Sequence, residues 1–565
     1  MDEPFQVDHA GPERFLLTPP RHHTSTLSLG FQFPAADIPI QSSGIFKSDP
    51  KLDNHSLYLL VLLPQTILAV STILSKECIM PGTGNSYEPL SSGTKFQWVP
   101  RYARLRPRQF ITTVSTLILL FAFTSFFYWG DFEIFAYPER SSWSSDATNF
   151  EQIFVREAQL PQHNLSMRYP EGRDGRFVRF SNQVWGLGWN NLLQERLLNT
   201  ILAYESDRAP VFSPFAAWAH PPRNDKIATG QRKVLVIPSN ALFSGPAAGA
   251  SWGPEDHHPR AISDQWWNIV CPLSNRTVIK ADEIMEQIGR ELDGIKMLNQ
   301  WTSLLKGIPE KCVEIIGTQV FDFYLIGSTR ILSLWDVVSK HPAIQRLDDS
   351  AVVKAAVTKN LPKLQASEGF SWRPHTSTSN VIAGLMAIHI RRGDYLGDEG
   401  QDNGHCLHLS KWGSTFSGWN QLPQLRDRFD PPPRGDIEWG TNTPEVAEYY
   451  LRRCLPTPAQ VVSRLRVLRA ENRHISHIFV ATNAEERYLS ELRVVLAADG
   501  WAPDRIITSE DLELNWQATS VGMAVDMSIL SRAEVFVGNG FSSMSSNIVM
   551  RRLTTGMKLD SVRFW

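Results

Sequence analysis

The sequence predicts a parallel α/β fold for its C-terminal half, preceded by an N-terminal membrane anchor. Short apolar strands alternate with helical patterns from about residue 384 to the last helix after residue 541, as expected of a parallel sheet. Two polar motifs directly follow two of those strands, at the carboxyl ends where such sheets bind ligands. An uncharged apolar run, 110–129, is long enough to span a bilayer.

The composition is that of a folded protein with more than one packing unit. At 565 residues and 63.9 kDa, the chain is too long for one ordinary core. Its 42% hydrophobic and 20% charged residues exclude disorder throughout. Because 56 Lys and Arg residues balance 58 Asp and Glu residues, no basic surface for nucleic acid is predicted.

The run 110–129 predicts a transmembrane helix, assigned to 109–130, with a buried core helix as the alternative. Four arginines precede it and two carboxylates follow, so the positive-inside rule places the N-terminal side in the cytosol. A second apolar run, 57–74, is interrupted by Pro64, and whether it spans stays open. Either way, we expect a type II-like protein of the Golgi or ER membrane with its large C-terminal part in the lumen.

The rest of the chain divides by composition. We expect a largely disordered cytosolic tail over 1–108 and a polar stem over 131–170. Two globular domains follow, over 171–380 and 381–565. This division leaves one short membrane segment between a cytosolic tail and a luminal body.

Cysteine placement agrees with a luminal body. Four cysteines, an even set for an oxidising compartment, follow the predicted anchor. Pairing of neighbours joins Cys271 to Cys312 and Cys406 to Cys454; two other connectivities, or four buried thiols, remain as alternatives. Sequons at Asn164 and Asn275 lie on the same side of the anchor.

Helical and strand periods place the elements of the first domain. Apolar residues on one face predict a helix over 191–206, directly after the segment GLGWNN. KVLVIP predicts a short buried strand over 233–238, and the Trp- and His-rich segment 243–270 is predicted to be a long surface loop. Helical patterns follow near 281–305 and 335–358.

The second domain alternates strands and helices. It begins with strand 384–390, followed by an irregular segment over about 396–440. The predicted order is then helix 444–470, strand 475–481, helix 485–498, strand 505–508, helix 520–532, strand 534–537 and a last helix after residue 541. Such alternation predicts a parallel sheet.

The motif HIRRGDY, residues 389–395, follows the strand 384–390. It brings two guanidinium groups and a carboxylate to a strand end, a position that suits phosphate. Arginine stays charged and its planar fork matches phosphate oxygens, which favours a nucleotide leaving group. A solvated Arg–Asp pair is the alternative.

The motif GNGFSSMSSN, residues 538–547, follows the last predicted strand and begins a helix. Its backbone N–H groups and hydroxyls are placed to converge on an anion at the helix N-terminus. A glycine turn with serine capping is the alternative, and it needs no ligand. Met544 and Ser543 break the patterns of a serine hydrolase and of a dinucleotide-binding loop.

Three motifs in this order, HIRRGDY, FVATNAEERYLSEL and AVDMSILSRAEVFVGNGFSSMSS, resemble the GDP-fucose protein O-fucosyltransferases and, more loosely, α-1,6-fucosyltransferases. The resemblance spans roughly 381–552, and GLGWNN resembles the family's early loop, with Asn191 in place of a glutamine. It implies a GT-B-like arrangement of two Rossmann-like domains facing a cleft. The acceptor-side domain is then 171–380 and the GDP-sugar-binding domain 381–565.

The resemblance also implies roles for single residues. Arg391 matches the catalytic arginine that contacts the β-phosphate and assists the departure of GDP, and His389 matches a neighbouring donor contact. Asp526 matches the acid that receives the guanine edge. The other residues that the resemblance places in donor binding are Arg392, Asp394, Ser542, Ser543 and Asn190. Because Arg391 can neutralise the diphosphate, no metal is expected, and no cofactor beyond the donor substrate GDP-fucose.

Two further features are given no catalytic role. The cluster His405, Cys406 and His408 lacks a second pair of ligands for zinc. Glu195 lies near the early loop, and we expect it to be a solvated helix carboxylate. The base that activates the acceptor is therefore not assigned.

The sequence thus predicts a membrane-anchored glycosyltransferase that transfers fucose from GDP-fucose to a protein or glycan hydroxyl, inverting and independent of metal. Its expected partners are the donor, a protein or glycan acceptor and the membrane, with no nucleic acid. Two alternatives stay open. One is a transferase using another nucleotide sugar such as GDP-mannose; the other is an inert membrane protein that binds a nucleotide or a glycan.

Overall fold

The structure is a computed structural model that describes residues 150–182, 187–218, 234–365, 381–397 and 404–565. The predicted tail, the apolar run 57–74, the transmembrane helix 109–130 and the first part of the stem lie outside these residues. Within the described ranges, no helix is both long enough and apolar enough for a membrane crossing.

The strands form two parallel five-stranded sheets and two short antiparallel pairs. In chain order they are β1 Phe177–Phe180, β2 Ala209–Phe212, β3 Phe215–Trp218, β4 Val234–Ile237, β5 Phe243–Ser244, β6 Ile262–Ser263, β7 Thr277–Lys280, β8 Cys312–Ile316, β9 Asp348–Asp349, β10 Ile382–Ile390, β11 His477–Thr482, β12 Ile506–Thr508, β13 Ala533–Gly538 and β14 Val562–Phe564. The first sheet has the order β6-β2-β1-β8-β7 and the second β12-β11-β10-β13-β14. Every pairing within both sheets is parallel, so the predicted parallel α/β fold is confirmed.

Helices connect these strands and pack beside the sheets. In chain order they are α1 Glu151–Ala158, α2 Trp189–Glu205, α3 Ser239–Leu242, α4 Asp264–Val270, α5 Ala281–Ile288, α6 Gly294–Gly307, α7 Phe323–Ile326, α8 Trp335–Val338, α9 Pro342–Gln345, α10 Ala351–Leu364, α11 Gly393–Leu396, α12 His405–Lys411, α13 Pro444–Cys454, α14 Pro458–Glu471, α15 Glu486–Ala498, α16 Trp516–Ser520, α17 Gly522–Arg532 and α18 Ser543–Thr554. The predicted helix 191–206 is α2, and the later helices near 485–498, 520–532 and after 541 are α15, α17 and α18.

The first sheet region departs from the sequence expectation in two places. The strand predicted from KVLVIP exists as β4, but it pairs antiparallel with β3 outside the five-stranded sheet. The prediction of a long surface loop over 243–270 is wrong, because this segment contains β5, β6 and α4. Trp252 and Trp267 in this segment are buried in the core. The segment therefore packs inside the protein and does not lie on its surface.

The second sheet follows its sequence pattern closely. The long helix expected over 444–470 is divided into α13 and α14, because Pro458 occupies the first position of a new helix. Thr457 caps that helix in a capping box with Gln460. The segment expected to be irregular over 396–440 contains α12, and the last strand, β14, was not predicted.

Both predicted disulfides are present. Cys271, at the end of α4, bonds to Cys312 at the start of β8. Cys406 on α12 bonds to Cys454 at the end of α13. The pairing of sequence neighbours is therefore confirmed, and the alternative of four buried thiols is excluded.

A buried ion cluster joins the regions of the two sheets, which lie in one compact unit. Asp349 on β9 is 2% exposed and accepts hydrogen bonds from Ser528 (2.6 Å), Arg532 (2.5 Å) and Arg551 (2.7 Å). Burial alone would raise the pKa of Asp349, but the two guanidinium groups outweigh it and hold the pKa below its usual value. The donors lie on α17 and α18, so β9 is fixed against the helices of the second sheet. The exact division of the two domains at residue 380 stays a prediction.

Candidate active site

Two loops meet at the carboxyl edge of the second sheet. β10 ends at Ile390 and continues into HIRRGDY, while the neighbouring β13 ends at Gly538 and leads into α18. When the five strands of this sheet are numbered along the chain, their spatial order is 3-2-1-4-5. The reversal of order falls between β10 and β13, and parallel sheets bind ligands in the crevice at such a switch point.

Hydrogen bonds link these two loops directly. The Nδ1 atom of His389 lies 3.0 Å from the hydroxyl of Ser545. The hydroxyl of Tyr395 donates to the carbonyl of Phe541 at 2.9 Å. The indole N–H of Trp565 donates to the carbonyl of His389 at 3.0 Å. The two motifs that the sequence singled out therefore share one edge of one sheet.

Arg391 presents an accessible cation at this edge. Its side chain is 40% exposed and forms an ion pair with Asp394 at 2.9 Å. Its guanidinium carbon lies 5.9 Å from the ring centroid of Tyr395. Because an ion pair this exposed contributes only about 0–1 kcal/mol, a phosphate can replace Asp394 with little loss.

Arg392 makes a different set of contacts. Its guanidinium carbon lies 4.2 Å from the ring centroid of Tyr488 on α15, and it pairs with Glu485 at 3.3 Å. Its backbone N–H donates to the side chain of Asn483 at 2.8 Å. These contacts fix the loop against the end of β11, so the structure separates the side chains of Arg391 and Arg392. A role of Arg392 in donor binding stays a prediction.

His389 is a buried neutral ring beneath the loop. Burial, aided by the charge of Arg391, lowers its pKa to about 3. The imidazole is therefore uncharged at physiological pH. Its bond to Ser545, in the first turn of α18, makes it a support for the serine-bearing helix.

The N-terminus of α18 combines capping with anion-binding potential. The hydroxyl of Ser542 accepts from the N–H of Met544 at 3.3 Å, so the capping alternative is observed. That hydroxyl keeps its own proton to donate, and Ser543 beside it is partly exposed. The first N–H groups of a helix carry partial positive charge, which favours an anion at this end. Serine capping and phosphate binding are therefore compatible here.

Asp526 lies on α17 and contacts the loop after β12. The hydroxyl of Ser509 donates to its carboxylate at 2.8 Å. Burial raises the pKa of Asp526 to about 7, and the bond from Ser509 opposes that rise only in part. Asp526 is partly exposed, so two parallel N–H donors could reach its carboxylate.

The early GLGWNN loop contacts the same helix, α18, from the other sheet region. The side-chain N–H of Asn547 donates to the backbone carbonyl of Asn190 at 2.9 Å and to its side-chain oxygen at 3.0 Å. One turn further along α2, Gln194 donates to Ser546 at 2.5 Å. The structure thus brings Asn190 to the serine-bearing helix. Sequence reasoning missed Ser545, Ser546 and Asn547, although they lie within the motif GNGFSSMSSN.

Glu195 is not the solvated carboxylate that the sequence suggested. It is 1% exposed and accepts hydrogen bonds from Gln319 and Asn199. Burial raises its pKa to about 7, although these bonds and the nearby Arg196 oppose the rise. The error arose because α2 is buried around its whole circumference along most of its length, so polarity did not mark a solvent face.

The cluster of His405, Cys406 and His408 cannot offer a thiolate to zinc, because Cys406 is bonded to Cys454. In the ranges that the structure covers, no three His, Cys, Asp or Glu side chains are grouped so as to hold a metal ion.

Residues 352–555 match the sequence profile of a family described as GDP-fucose protein O-fucosyltransferase. A crystal structure of POFUT1 in complex with GDP-fucose is similar at 15% identity, with a TM-score of 0.43 over 69% of this chain and 98% of that chain. A structure of an Arabidopsis thaliana FUT1 mutant in complex with GDP is similar at 12% identity, with a TM-score of 0.30 over 74% of this chain and 78% of that chain. A comparison with curated proteins gives no match.

The matched segment contains both switch-point loops and the helices behind them. The parallel sheet with a cation and hydroxyls at one edge therefore lies within the segment that resembles the GDP-fucose protein O-fucosyltransferases. The similarity to this family covers residues 352–555, about a third of the chain.

Proposed function

We propose that the protein transfers fucose from GDP-fucose to a protein or glycan hydroxyl, with inversion and without a metal, in a GT-B-like cleft between its two sheet regions. The observation that carries the proposal is the common edge of β10 and β13. There the exposed cation of Arg391 and the N-terminus of α18 lie on loops joined by hydrogen bonds, within the segment that matches the family profile.

In this proposal, the diphosphate lies between Arg391 and the first turn of α18. The acceptor oxygen forms a bond to the anomeric carbon as the bond from that carbon to the β-phosphate oxygen breaks. The electron pair of the broken bond stays on the departing GDP, and the proton of the acceptor hydroxyl passes to solvent water. Arg391 gives up Asp394 and stabilises the negative charge that develops on the leaving group. Ser542 and Ser543 add hydroxyl donors to the same phosphates.

Two further groups define the donor in this proposal. The ionised carboxylate of Asp526 accepts two N–H donors from the guanine edge, and this pairing favours its charged form. His389 stays neutral and supports α18 through Ser545. Asn190 acts through Asn547 and links the acceptor-side region to that helix. The motifs thus specify a guanine nucleotide more strongly than they specify the sugar.

We propose that this body lies in the lumen of the Golgi or ER, anchored by residues 109–130. Two disulfides support an oxidising compartment. Both sequon asparagines, Asn164 and Asn275, are exposed and therefore accessible to glycosylation. Treatment of the expressed chain with an endoglycosidase should lower its apparent mass, and each Asn→Gln variant should remove part of that shift. A chain that carries no glycan and remains in the cytosol would contradict the placement.

The replacement Arg391→Ala tests the catalytic proposal. Removal of the leaving-group cation should lower turnover with GDP-fucose roughly 10²- to 10³-fold, or about 3–4 kcal/mol of transition-state stabilisation. Arg391→Lys should recover part of the loss, since it restores charge without the planar fork. Arg452→Ala is the control, because Arg452 is an arginine on the exposed side of α13, 61% accessible and paired only within its helix in the contacts described. The unfolding midpoint should stay near the wild-type value in all three variants.

Wild-type turnover in Arg391→Ala would defeat the proposal. A panel of GDP-fucose and GDP-mannose distinguishes a fucosyltransferase from a transferase of another GDP-sugar. GDP binding without either transfer or donor hydrolysis would instead identify an inert binding protein.

A further inference from the structure

An exposed aromatic surface lies on the segment between α12 and α13. Trp412 and Trp439 are 48% and 64% exposed. Their ring centroids are 6.4 Å apart, and the ring planes are inclined by only 22°. Tryptophan gains more from burial than almost any side chain, so two adjacent exposed indoles indicate a surface made for contact. We call this pair, Trp412 and Trp439, the tryptophan platform.

The loop that carries Trp439 is held firmly. The guanidinium carbon of Arg434 lies 4.8 Å from the ring centroid of Trp439. The same guanidinium donates to the backbone carbonyls of Ser410 (3.1 Å), Glu438 (2.9 Å) and Thr441 (3.3 Å). Three backbone bonds and a stacking contact fix both the loop and its indole. The platform is therefore pre-organised, which lowers the entropy lost when a ligand binds.

The helix that precedes Trp412 is also fixed. Cys406 faces the interior of the protein and is bonded to Cys454 on α13. Ser410, fully buried, accepts a hydrogen bond from Asn442 at 2.5 Å. These contacts orient α12, so that its opposite face is presented outward.

A line of contacting side chains leads from the platform to Arg391. His405 and His408 on α12, with Trp412 just after it, have the spacing of one helix face. Ring centroids are 6.1 Å apart between His405 and His408 and 6.1 Å apart between His408 and Trp412. His405 lies 4.9 Å from Tyr395, the ring beside Arg391. A row of contacting rings, of which Tyr395 is buried, therefore connects the platform to the proposed donor site.

The charges around the platform indicate what it binds. Asp436 and Glu438, both exposed, lie on the loop with Trp439, while the nearby cation of Arg434 donates to backbone carbonyls. Carboxylates accept hydrogen bonds from hydroxyl groups, whereas they are repelled by the anionic surface of a bilayer. Indole faces stack on the C–H faces of pyranose rings. Apolar faces beside hydroxyl acceptors therefore favour a neutral saccharide over an anionic lipid.

We propose that the tryptophan platform binds a neutral saccharide chain and that this chain is the acceptor of the transfer. The inference rests on the proposed function, because the line of contacts ends at the arginine assigned to the leaving group. It narrows the acceptor from any protein or glycan hydroxyl to a hydroxyl carried by a saccharide.

Titration of the full chain with short linear oligosaccharides of glucose, xylose, galactose and mannose tests the proposal, with calorimetry and tryptophan fluorescence as readouts. At least one series should bind. Trp439→Ala and Trp412→Ala should each weaken that binding roughly tenfold or more. Trp516→Ala is the matched control, because Trp516 is 40% exposed on α16, and this variant should keep the wild-type affinity.

Three results would overturn the proposal: no binding of any series by the wild type, equal binding by both platform variants, or a Trp439-dependent affinity for phosphatidylserine vesicles or an unglycosylated polypeptide instead. A parallel titration with GDP separates it from the proposed function. If the protein binds GDP and hydrolyses GDP-fucose but binds no saccharide, only the platform proposal is wrong. If it binds saccharides through Trp439 but does not bind GDP, the proposed transfer is wrong and the saccharide site stands.

Discussion

The replacement Asp526→Asn should stabilise the free protein at alkaline pH while weakening its affinity for GDP. Burial raises the pKa of Asp526 from 3.8 to about 7. The folded state therefore holds this proton more tightly than the unfolded state. Stability from this group is complete below about pH 4 and is lost as the pH rises to about 7.

The size of the effect follows from the shift. About three pKa units at 1.36 kcal/mol each set an upper limit of about 4 kcal/mol at about pH 8. Asparagine has nearly the same shape, keeps an oxygen that can accept from Ser509, and carries no charge. The variant should therefore gain up to that amount at about pH 8 and little at about pH 4. Glu195, whose pKa burial also raises to about 7, keeps part of the pH dependence in the variant.

Urea unfolding of wild type and variant at about pH 4 and about pH 8 measures the first effect. Calorimetry with GDP measures the second, and we expect affinity to fall roughly ten- to a hundredfold, since an amide cannot accept two N–H donors as a carboxylate does. Asp504→Asn, at an exposed aspartate of the same sheet region, is the control and should change neither quantity. Equal destabilisation by Asp526→Asn at both pH values, or an unchanged GDP affinity, would refute the reasoning.

The other predictions concern the supports of the site. Ser545→Ala removes the hydrogen-bond partner of His389 and should lower the free energy of unfolding by about 1–3 kcal/mol. The variant should also raise the KM for GDP-fucose. Steady-state kinetics that match wild type would contradict the role of His389 as a support. Gln194→Ala breaks the bond to Ser546 and should lower the free energy of unfolding by about 1 kcal/mol, measured by urea titration against Gln345→Ala, a change at an exposed glutamine bond. Cys454→Ser opens the bond to α12 and should lower that free energy by about 2–5 kcal/mol; the loss should disappear when both proteins are compared under reducing conditions.

The second sheet was predictable because each of its main strands is a short apolar run that both faces of the sheet bury. The first sheet was not predictable from the sequence, because its strands carry charged residues that form ion pairs with residues of neighbouring elements. Arg179 on β1 pairs with Glu314 on the adjacent β8 at 3.3 Å and with Asp264 on α4 at 2.9 Å. A strand whose polar residues find partners on its neighbours shows no clear apolar period in the sequence.

Some residues of the candidate site were likewise predictable from local sequence, and others were not. Arg391 and Ser542 follow strand ends, so a local pattern was enough to select them. The contact of Asn190 with Asn547 joins residues 357 positions apart, and nothing near either residue indicates the other. The burial of Glu195 likewise depends on Gln319, which follows a strand that the sequence did not mark. Such tertiary contacts require the fold itself.

The cluster around Asp349 limits how far the two sheet regions can move apart. Swinging the two sheet regions apart would strip one carboxylate of a hydroxyl and two guanidinium partners and leave like charges facing each other. Opening at this seam is therefore costly, and we expect the two sheet regions to move as one body. Under the proposed function, donor and product would then exchange through rearrangement of surface loops.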